Sequence, residues 1–195
     1  FLDQRFEGYA DDRIPPSLAG MAERGSGLDA GVSYRYRQPW GTLQAEYLQD
    51  VSRFSKGSEL RLSYSYDWRS GRLALRPSLT VSARNARLNN YYYGVRPDEA
   101  TATRPAYEPG SGINTTLGLY GTYELSEGWR LLGGITRTVL DGKVKASPIV
   151  GRSAQTAVFL GAAYDFGTHK QHWAEESSPT HVKVLYGKST EDGCH

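Results

Sequence analysis

The sequence is poor in the features that mark several common protein classes. It has one cysteine in 195 residues, which excludes a disulfide framework. No stretch approaches the roughly 18 consecutive apolar residues that a membrane-spanning helix needs, and the mean hydropathy is −0.56. The formal net charge is only +2, so no strong attraction to nucleic acid is expected. These absences exclude a helical membrane protein but leave open a membrane barrel, whose strands are apolar only at alternate positions.

The clearest pattern that is present is strict alternation, as in ELRLSYSYDW at residues 59–68. Apolar and aromatic side chains occupy every second position from Leu60 to Trp68, and polar or charged side chains lie between them. A period of two is typical of a β-strand with one apolar and one polar face. Similar patterns predict seven strands in all, at about residues 28–37, 42–47, 59–68, 73–84, 116–125, 129–137 and 155–166. Pro77 falls on the apolar side of the fourth strand and indicates a bulge or a locally unpaired position.

The predicted connections alternate between short and long. Residues 38–41, 69–72 and 126–128 form tight turns, whereas the longest connection runs from about residue 85 to 112. Aromatic residues gather at the short-turn ends of the strands, at Tyr34, Tyr36, Trp40, Tyr64, Tyr66, Trp68, Tyr123, Trp129, Tyr164 and Phe166. Outer-membrane barrels have short periplasmic turns, long external loops and aromatic girdles at the membrane interfaces.

Two architectures would accommodate such strands. A soluble sandwich or barrel buries the apolar face, whereas a transmembrane barrel turns that face toward lipid. The sorting of the aromatic residues favours an all-β, antiparallel transmembrane β-barrel over residues 28–167. Seven strands is an odd number, and residues 1–27 contain only a weak strand candidate near residues 1–9. We therefore expect further N-terminal strands to precede this chain, and we expect residues 168–195 to be a polar extension or the start of a second domain.

The polar face carries charges of both signs. The residues predicted to face the lumen are Arg35, Arg37, Glu46, Glu59, Arg61, Asp67, Arg76 and Arg84. Such a face could line a narrow pore, but its near-balanced charge favours cross-strand ion pairs that fill a small barrel.

The longest loop holds a second group of candidate residues: Tyr91, Tyr92, Tyr93, Gly94, Asp98 and Glu99. Tyrosines in a long loop are typical of binding loops. The alternative is a loop that folds back as a plug or packs on the barrel rim. The sequence leaves both interpretations open.

Nothing in the barrel segment indicates catalysis or metal binding. A serine hydrolase needs a base beside its nucleophile, yet all four histidines, His169, His172, His181 and His195, follow the last predicted strand. Their spacing with Cys194 fits no zinc pattern. We therefore expect a non-enzyme without metal or cofactor.

Several motifs in order resemble the MipA/OmpV family, outer-membrane proteins named for the MltA-interacting protein. They are AEYLQDVS (45–52), LRPSLTVSARNARLNNYYYGVRPDEA (75–100), PAYEPGSGI (105–113), SPIV (147–150) and FLGAAYDF (159–166). The resemblance covers residues 27–167 and implies a barrel in the Gram-negative outer membrane, in contact with its lipid. For the founding member it implies a scaffold that bridges a lytic murein transglycosylase and a peptidoglycan synthase. Other members resemble porins, so a small-solute pore is the first alternative.

The sequence departs from this family in two respects. Family members carry strands before the part matched here, and they usually stop at the strand matched by residues 163–166, whereas 29 residues follow it in this chain. An outer-membrane lipid hydrolase with its active site outside this chain is the second alternative.

Overall fold

Nine β-strands form one antiparallel sheet in the computed structural model, which describes residues 1–5, 18–151 and 153–165. The strands are β1 (Leu2–Gln4), β2 (Leu28–Gln38), β3 (Gly41–Asp50), β4 (Ser58–Ser65), β5 (Trp68–Ser70), β6 (Leu73–Arg84), β7 (Gly112–Ser126), β8 (Trp129–Val139) and β9 (Ala154–Tyr164). Two helices, α1 (Ala86–Tyr93) and α2 (Gly142–Lys145), and a 3-10 turn at Pro97–Glu99 lie in the long connections. The chain divides into compact units at 1–165 and 166–195, and the second unit lies outside the described residues.

The sheet is a meander in which each strand pairs with its successor, except that β4 and β5 both pair with β6. Its order is β1-β2-β3-β4-β6-β7-β8-β9, and β5 prolongs the pairing of β4 with β6. The sheet curls into a half-barrel. Among the described residues, no helix is both long and apolar enough to cross a membrane. The prediction of an all-β antiparallel fold is confirmed.

All seven predicted strands are present, and the weak candidate near the N-terminus is the short strand β1. The third predicted strand, at residues 59–68, is divided into β4 and β5 at Tyr66 and Asp67. The register does not change across this break, because Glu59 faces Arg84 before it and Ser70 faces Leu73 after it with no residue inserted.

Pro77 explains the break. Tyr66 N donates to Pro77 O at 3.1 Å, but proline has no N–H with which to complete the ladder. The structure therefore confirms a locally unpaired position and shows no bulge there.

Burial is inverted relative to a water-soluble protein. Arg24, Asp29 and Glu59 are among the largest fully buried side chains. Leu60, Leu62 and Leu119 are 43%, 54% and 43% exposed, respectively. Exposed large apolar residues continue along every long strand, including Val32, Tyr47, Val81, Leu117, Ile135, Val158 and Leu160. A soluble sandwich would bury these side chains, so the described sheet has the surface of a protein surrounded by lipid.

Candidate functional site

The polar face of the sheet is its concave face. Residues from β4, β6, β7, β8 and β9, together with Tyr93 of α1, line one cavity of about 230 Å³. In a flat sheet, β4 and β9 would be roughly 19 Å apart, four strand spacings. A cavity this small can touch both strands only because the sheet curls around it.

Glu59 is buried at the centre of a group of charges at the end of the sheet where the long connections emerge. Its carboxylate pairs with Arg5 Nη1 at 2.9 Å, Arg61 Nε at 3.0 Å and Arg84 Nε at 3.5 Å. Two further acids complete the group: Arg5 Nη2 lies 2.6 Å from Asp29, and Arg61 Nη1 lies 3.0 Å from Asp3. We call Asp3, Arg5, Asp29, Glu59, Arg61 and Arg84 the charge cluster.

The charge cluster contains three acids and three arginines, so its formal charge is zero. Such mutual pairing offsets the cost of removing the charges from water, and removing one partner would leave its neighbours uncompensated. The cluster therefore occupies the concave side of the sheet and links its strands, and it offers no net charge to a solute.

The other predicted lumen residues occupy the same face nearer the short turns. Asp67 and Arg76 face each other across the strands and form an ion pair. Arg35 Nε donates to Gln44 at 2.9 Å, and Gln44 donates to Glu46 at 2.6 Å. Arg37 lies on this face and is exposed. That this face encloses a lumen remains a prediction.

A row of hydroxyl and amide side chains crosses the same face below the charge cluster. Ser63 and Thr80 are hydrogen-bonded at 2.9 Å, as are Thr116 and Thr138. Cross-strand register aligns these four with Gln155. The row is polar without net charge, so the concave wall becomes less charged away from the cluster.

Aromatic side chains interrupt the polar face closer to the short turns. Tyr120 and Phe159 lie on either side of Gly134 in the register, with ring centroids 6.2 Å apart. Both rings cover the space above Gly134, where a Cβ atom would lie 2.9 Å from the Tyr120 ring. Sequence reasoning missed this contact. Its only signal was an aromatic residue in the polar phase of the last predicted strand.

The longest loop folds onto the sheet instead of standing free. Asn85 caps α1 by accepting from Leu88 N at 3.0 Å, and Leu88, Asn89 and Tyr92 are buried. Tyr93 lines the cavity, and its carbonyl accepts from Ser147 Oγ at 2.6 Å in the next long connection. Five of the six residues singled out in this loop are buried or half-buried, and Asp98 is exposed. Such packing is what the plug or rim interpretation predicts.

Glu99 anchors the loop to the segment before β2. Its carboxylate accepts from Arg24 Nη2 at 2.8 Å, Ala22 N at 3.0 Å and Arg96 N at 3.0 Å. Arg24 Nε also donates to Tyr91 O at 2.7 Å. Burial raises the pKa of Glu99, but the hydrogen bonds from Arg24, Arg96 and Ala22 outweigh it and lower the pKa to about 2. Arg24 has no period or motif around it, so its role was not predictable from the sequence.

Other predicted loop positions differ in exposure. Gly94 is buried at the end of α1, whereas Asp98 is exposed in the 3-10 turn. In the connection between β8 and β9, Asp141 caps α2 by accepting from Lys143 N at 2.8 Å. Hydrogen bonds from Ile113 N and Lys143 N lower the pKa of Asp141.

The described residues contain no group of three or more histidine, cysteine, aspartate or glutamate side chains placed to hold a metal ion. The histidines and the cysteine weighed from the sequence lie outside the described residues. What the described arrangement supplies is a neutral, ion-paired concave wall with a folded loop above it.

Comparison with known proteins places this architecture in a family. The family described as MltA-interacting protein MipA matches residues 2–166. Outer membrane protein Omp26La of Vibrio anguillarum is 31% identical over 150 residues, which are 77% of this chain and 58% of that protein. Outer membrane protein OmpV of Vibrio cholerae is 30% identical over the same shares of both chains. The MltA-interacting protein of Escherichia coli K12 is 28% identical over 158 residues, 80% of this chain and 64% of that protein.

These relatives carry the names of outer-membrane or interacting proteins, not of enzymes. They confirm the predicted outer-membrane location. The chain spans about three fifths of the length of these relatives.

Proposed function

This chain belongs to the MltA-interacting protein family, and from that premise we propose that it is a non-catalytic outer-membrane scaffold. In this role it holds a lytic murein transglycosylase, together with a peptidoglycan synthase, close to the membrane. The single observation that carries the proposal is its similarity over 158 residues to a protein named for its interaction with MltA.

The geometry supports a scaffold in one further respect. The acids and arginines at the mouth of the half-barrel compensate one another, and Tyr93 of α1 lines the cavity. A concave face filled by its own ion pairs and a folded loop is suited to a rigid membrane anchor.

The short turns are the surface that we assign to the murein enzymes. Short turns of outer-membrane barrels face the periplasm, where murein lies. Arg72 and Glu127 are exposed in two of these turns. The long connections emerge at the opposite end of every strand, so α1 and the loop around Glu99 lie away from such a partner.

The test uses the full-length protein in detergent micelles, immobilised on a column. We expect it to retain purified lytic murein transglycosylase, and we expect the charge-exchange variant Arg72→Glu/Glu127→Lys to retain less. The control variant Arg96→Glu/Glu108→Lys makes the same exchange of charges in the long loop. It should retain as much transglycosylase as the unchanged protein. No retention by the unchanged protein would refute the scaffold, and equal losses in both variants would refute the assignment to the short turns.

A small-solute pore is the alternative that one observation favours, namely the polar cavity of about 230 Å³. Planar-bilayer recording separates the two functions. A pore gives discrete conductance steps, whereas a scaffold with a neutralised, covered concave face conducts little.

A further inference from the structure

The loop between β3 and β4 is organised around a single carboxylate. Asp50 accepts hydrogen bonds from Ser52 Oγ at 2.5 Å, Ser55 N at 2.6 Å, Ser55 Oγ at 2.8 Å, Lys56 N at 2.9 Å and Arg53 N at 3.1 Å. These bonds hold the loop in one conformation and occupy both oxygens of the only acid in it.

Two cations in this loop are held in an uncommon backbone conformation. Arg53 has φ 67° and Lys56 has φ 52°. Residues other than glycine rarely adopt positive φ, because that conformation costs free energy for a residue with a Cβ atom. The bonds to Asp50 offset that cost, so the positions of the two cations are fixed by the fold.

A third cation lies next to the loop. Gly57 packs so closely on α1 that a Cβ atom there would lie 2.7 Å from Leu88 N. Asn85 N also donates to Ser58 O at 3.1 Å. These contacts bring Arg87, in the first turn of α1, beside the end of the loop. We call Arg53, Lys56 and Arg87 the basic corner.

The basic corner is exposed, and its charges are not compensated. All three side chains are exposed, and within the described part of the chain none has an ion-pair or hydrogen-bond partner. Arg53 and Lys56 lie between β3 and β4, and Arg87 lies in the connection between β6 and β7. The arginines of the charge cluster, by contrast, are all paired with acids.

Apolar side chains adjoin the corner. Val51 is 47% exposed, and Phe54 is 51% exposed between the two loop cations. Below them, Leu60 begins the apolar face of β4. Cations directly above an exposed apolar surface match a lipid that has phosphate groups above acyl chains.

We propose that the basic corner binds the phosphate groups of lipid A, the lipid of the outer leaflet. Long connections of outer-membrane barrels lie on the external side, which puts the corner at the level of those phosphates. Arg53, Lys56 and Arg87 donate to phosphate oxygens while Val51 and Phe54 contact the acyl chains. This inference rests on the outer-membrane location and is independent of any murein partner.

The experiment measures the affinity of full-length protein in uncharged detergent micelles for bis-phosphorylated lipid A, by thermophoresis. A basic side chain at an anionic membrane surface contributes about fivefold in affinity, so Arg53→Gln/Lys56→Gln should bind roughly 25-fold more weakly. Arg87→Gln alone should lose about fivefold. The charge-conserving variant Arg53→Lys/Lys56→Arg should bind as the unchanged protein does, which separates lost charge from lost folding.

The matched control is Arg37→Gln/Arg69→Gln, which removes two exposed cations near the short turns and should retain full affinity. Dephosphorylated lipid A should bind the unchanged protein more weakly than phosphorylated lipid A binds Arg53→Gln/Lys56→Gln, because Arg87 then also lacks a phosphate partner. The proposal is overturned if corner and control variants lose affinity equally or if dephosphorylation has no effect. It is also overturned if equimolar inorganic phosphate displaces lipid A, since the site would then bind free anions and not a lipid.

Discussion

Glu59 and Leu60 are adjacent in β4 and lie in opposite surroundings: Glu59 is 2% exposed, whereas Leu60 is 43% exposed. The acid is enclosed by three arginines, and the leucine faces outward. In water this arrangement would cost free energy at both positions. In a bilayer it is favourable at both, because hydrocarbon surrounds the outer face and ion pairs fill the inner one.

The first prediction tests which face meets lipid. Leu62→Arg, near the middle of β4, should lower the free energy of unfolding in lipid bilayers by about 2–4 kcal/mol, because it places a charge in hydrocarbon. Ser63→Arg introduces the same side chain one residue later, on the concave face. Its cost should be much smaller, and chemical denaturation of the full-length protein in bilayers measures both. A larger cost for Ser63→Arg than for Leu62→Arg would reverse the assignment of the two faces.

The strands were predictable because one local rule governs them. Each predicted strand alternates apolar and polar residues, because one of its faces meets lipid and the other does not. The alternation continues past Pro77, where the ladder of backbone hydrogen bonds is interrupted. The tight turns that contain Gly71 and Gly128 were predictable as well. Both glycines have positive φ, 53° and 81°, as such turns require.

The contacts of the long loop were not predictable from such a rule. Arg24 and Glu99 are 75 positions apart, and neither lies in a periodic segment. The basic corner depends on the close approach of Gly57 to Leu88, which only the folded loop shows. Alternation assigns residues to faces but gives no information on which loop residues meet, because loop contacts follow no repeating geometry.

A second prediction concerns the aromatic contact on the concave face. Gly134→Ala should destabilise the protein by about 1–3 kcal/mol, because the added Cβ has no space beneath the rings of Tyr120 and Phe159. Gly133→Ala is its matched control, since a Cβ there would lie 3.5 Å from Leu160, at ordinary contact distance. Its effect should stay below about 1 kcal/mol. Equal effects of the two substitutions on the midpoint of urea unfolding would show that the rings do not constrain Gly134.

A third prediction concerns the pair that anchors the long loop. Arg24→Met should lower the free energy of opening the loop by about 3–5 kcal/mol, because it leaves the buried carboxylate of Glu99 without its cation. The double variant Arg24→Met/Glu99→Gln should recover part of that loss, since no uncompensated charge remains. Hydrogen exchange of the amides at residues 91–95 measures the opening. Additive effects of the two substitutions would mean that the pair is not coupled in the folded protein.

The last prediction is the pH dependence of the same anchor. The pKa of Glu99 falls from its ordinary value of 4.5 to about 2 in the folded protein. The unfolded loop therefore takes up a proton at a higher pH than the folded loop does. The stability contributed by this carboxylate is fully present above about pH 4.5 and is lost progressively as the pH falls toward 2. A difference of this size corresponds to roughly 3 kcal/mol.

Hydrogen exchange at residues 91–95, corrected for the intrinsic exchange rate, should show protection that is constant from pH 7 to about 5 and declines below that. Glu99→Gln removes the titrating group, so its protection should be lower at neutral pH and nearly independent of pH. Glu108→Gln, an exposed acid in the same loop, should retain the decline of the unchanged protein. A decline that persists in Glu99→Gln would assign the titration to another acid and would leave the Arg24–Glu99 pair without a measurable role in holding the loop.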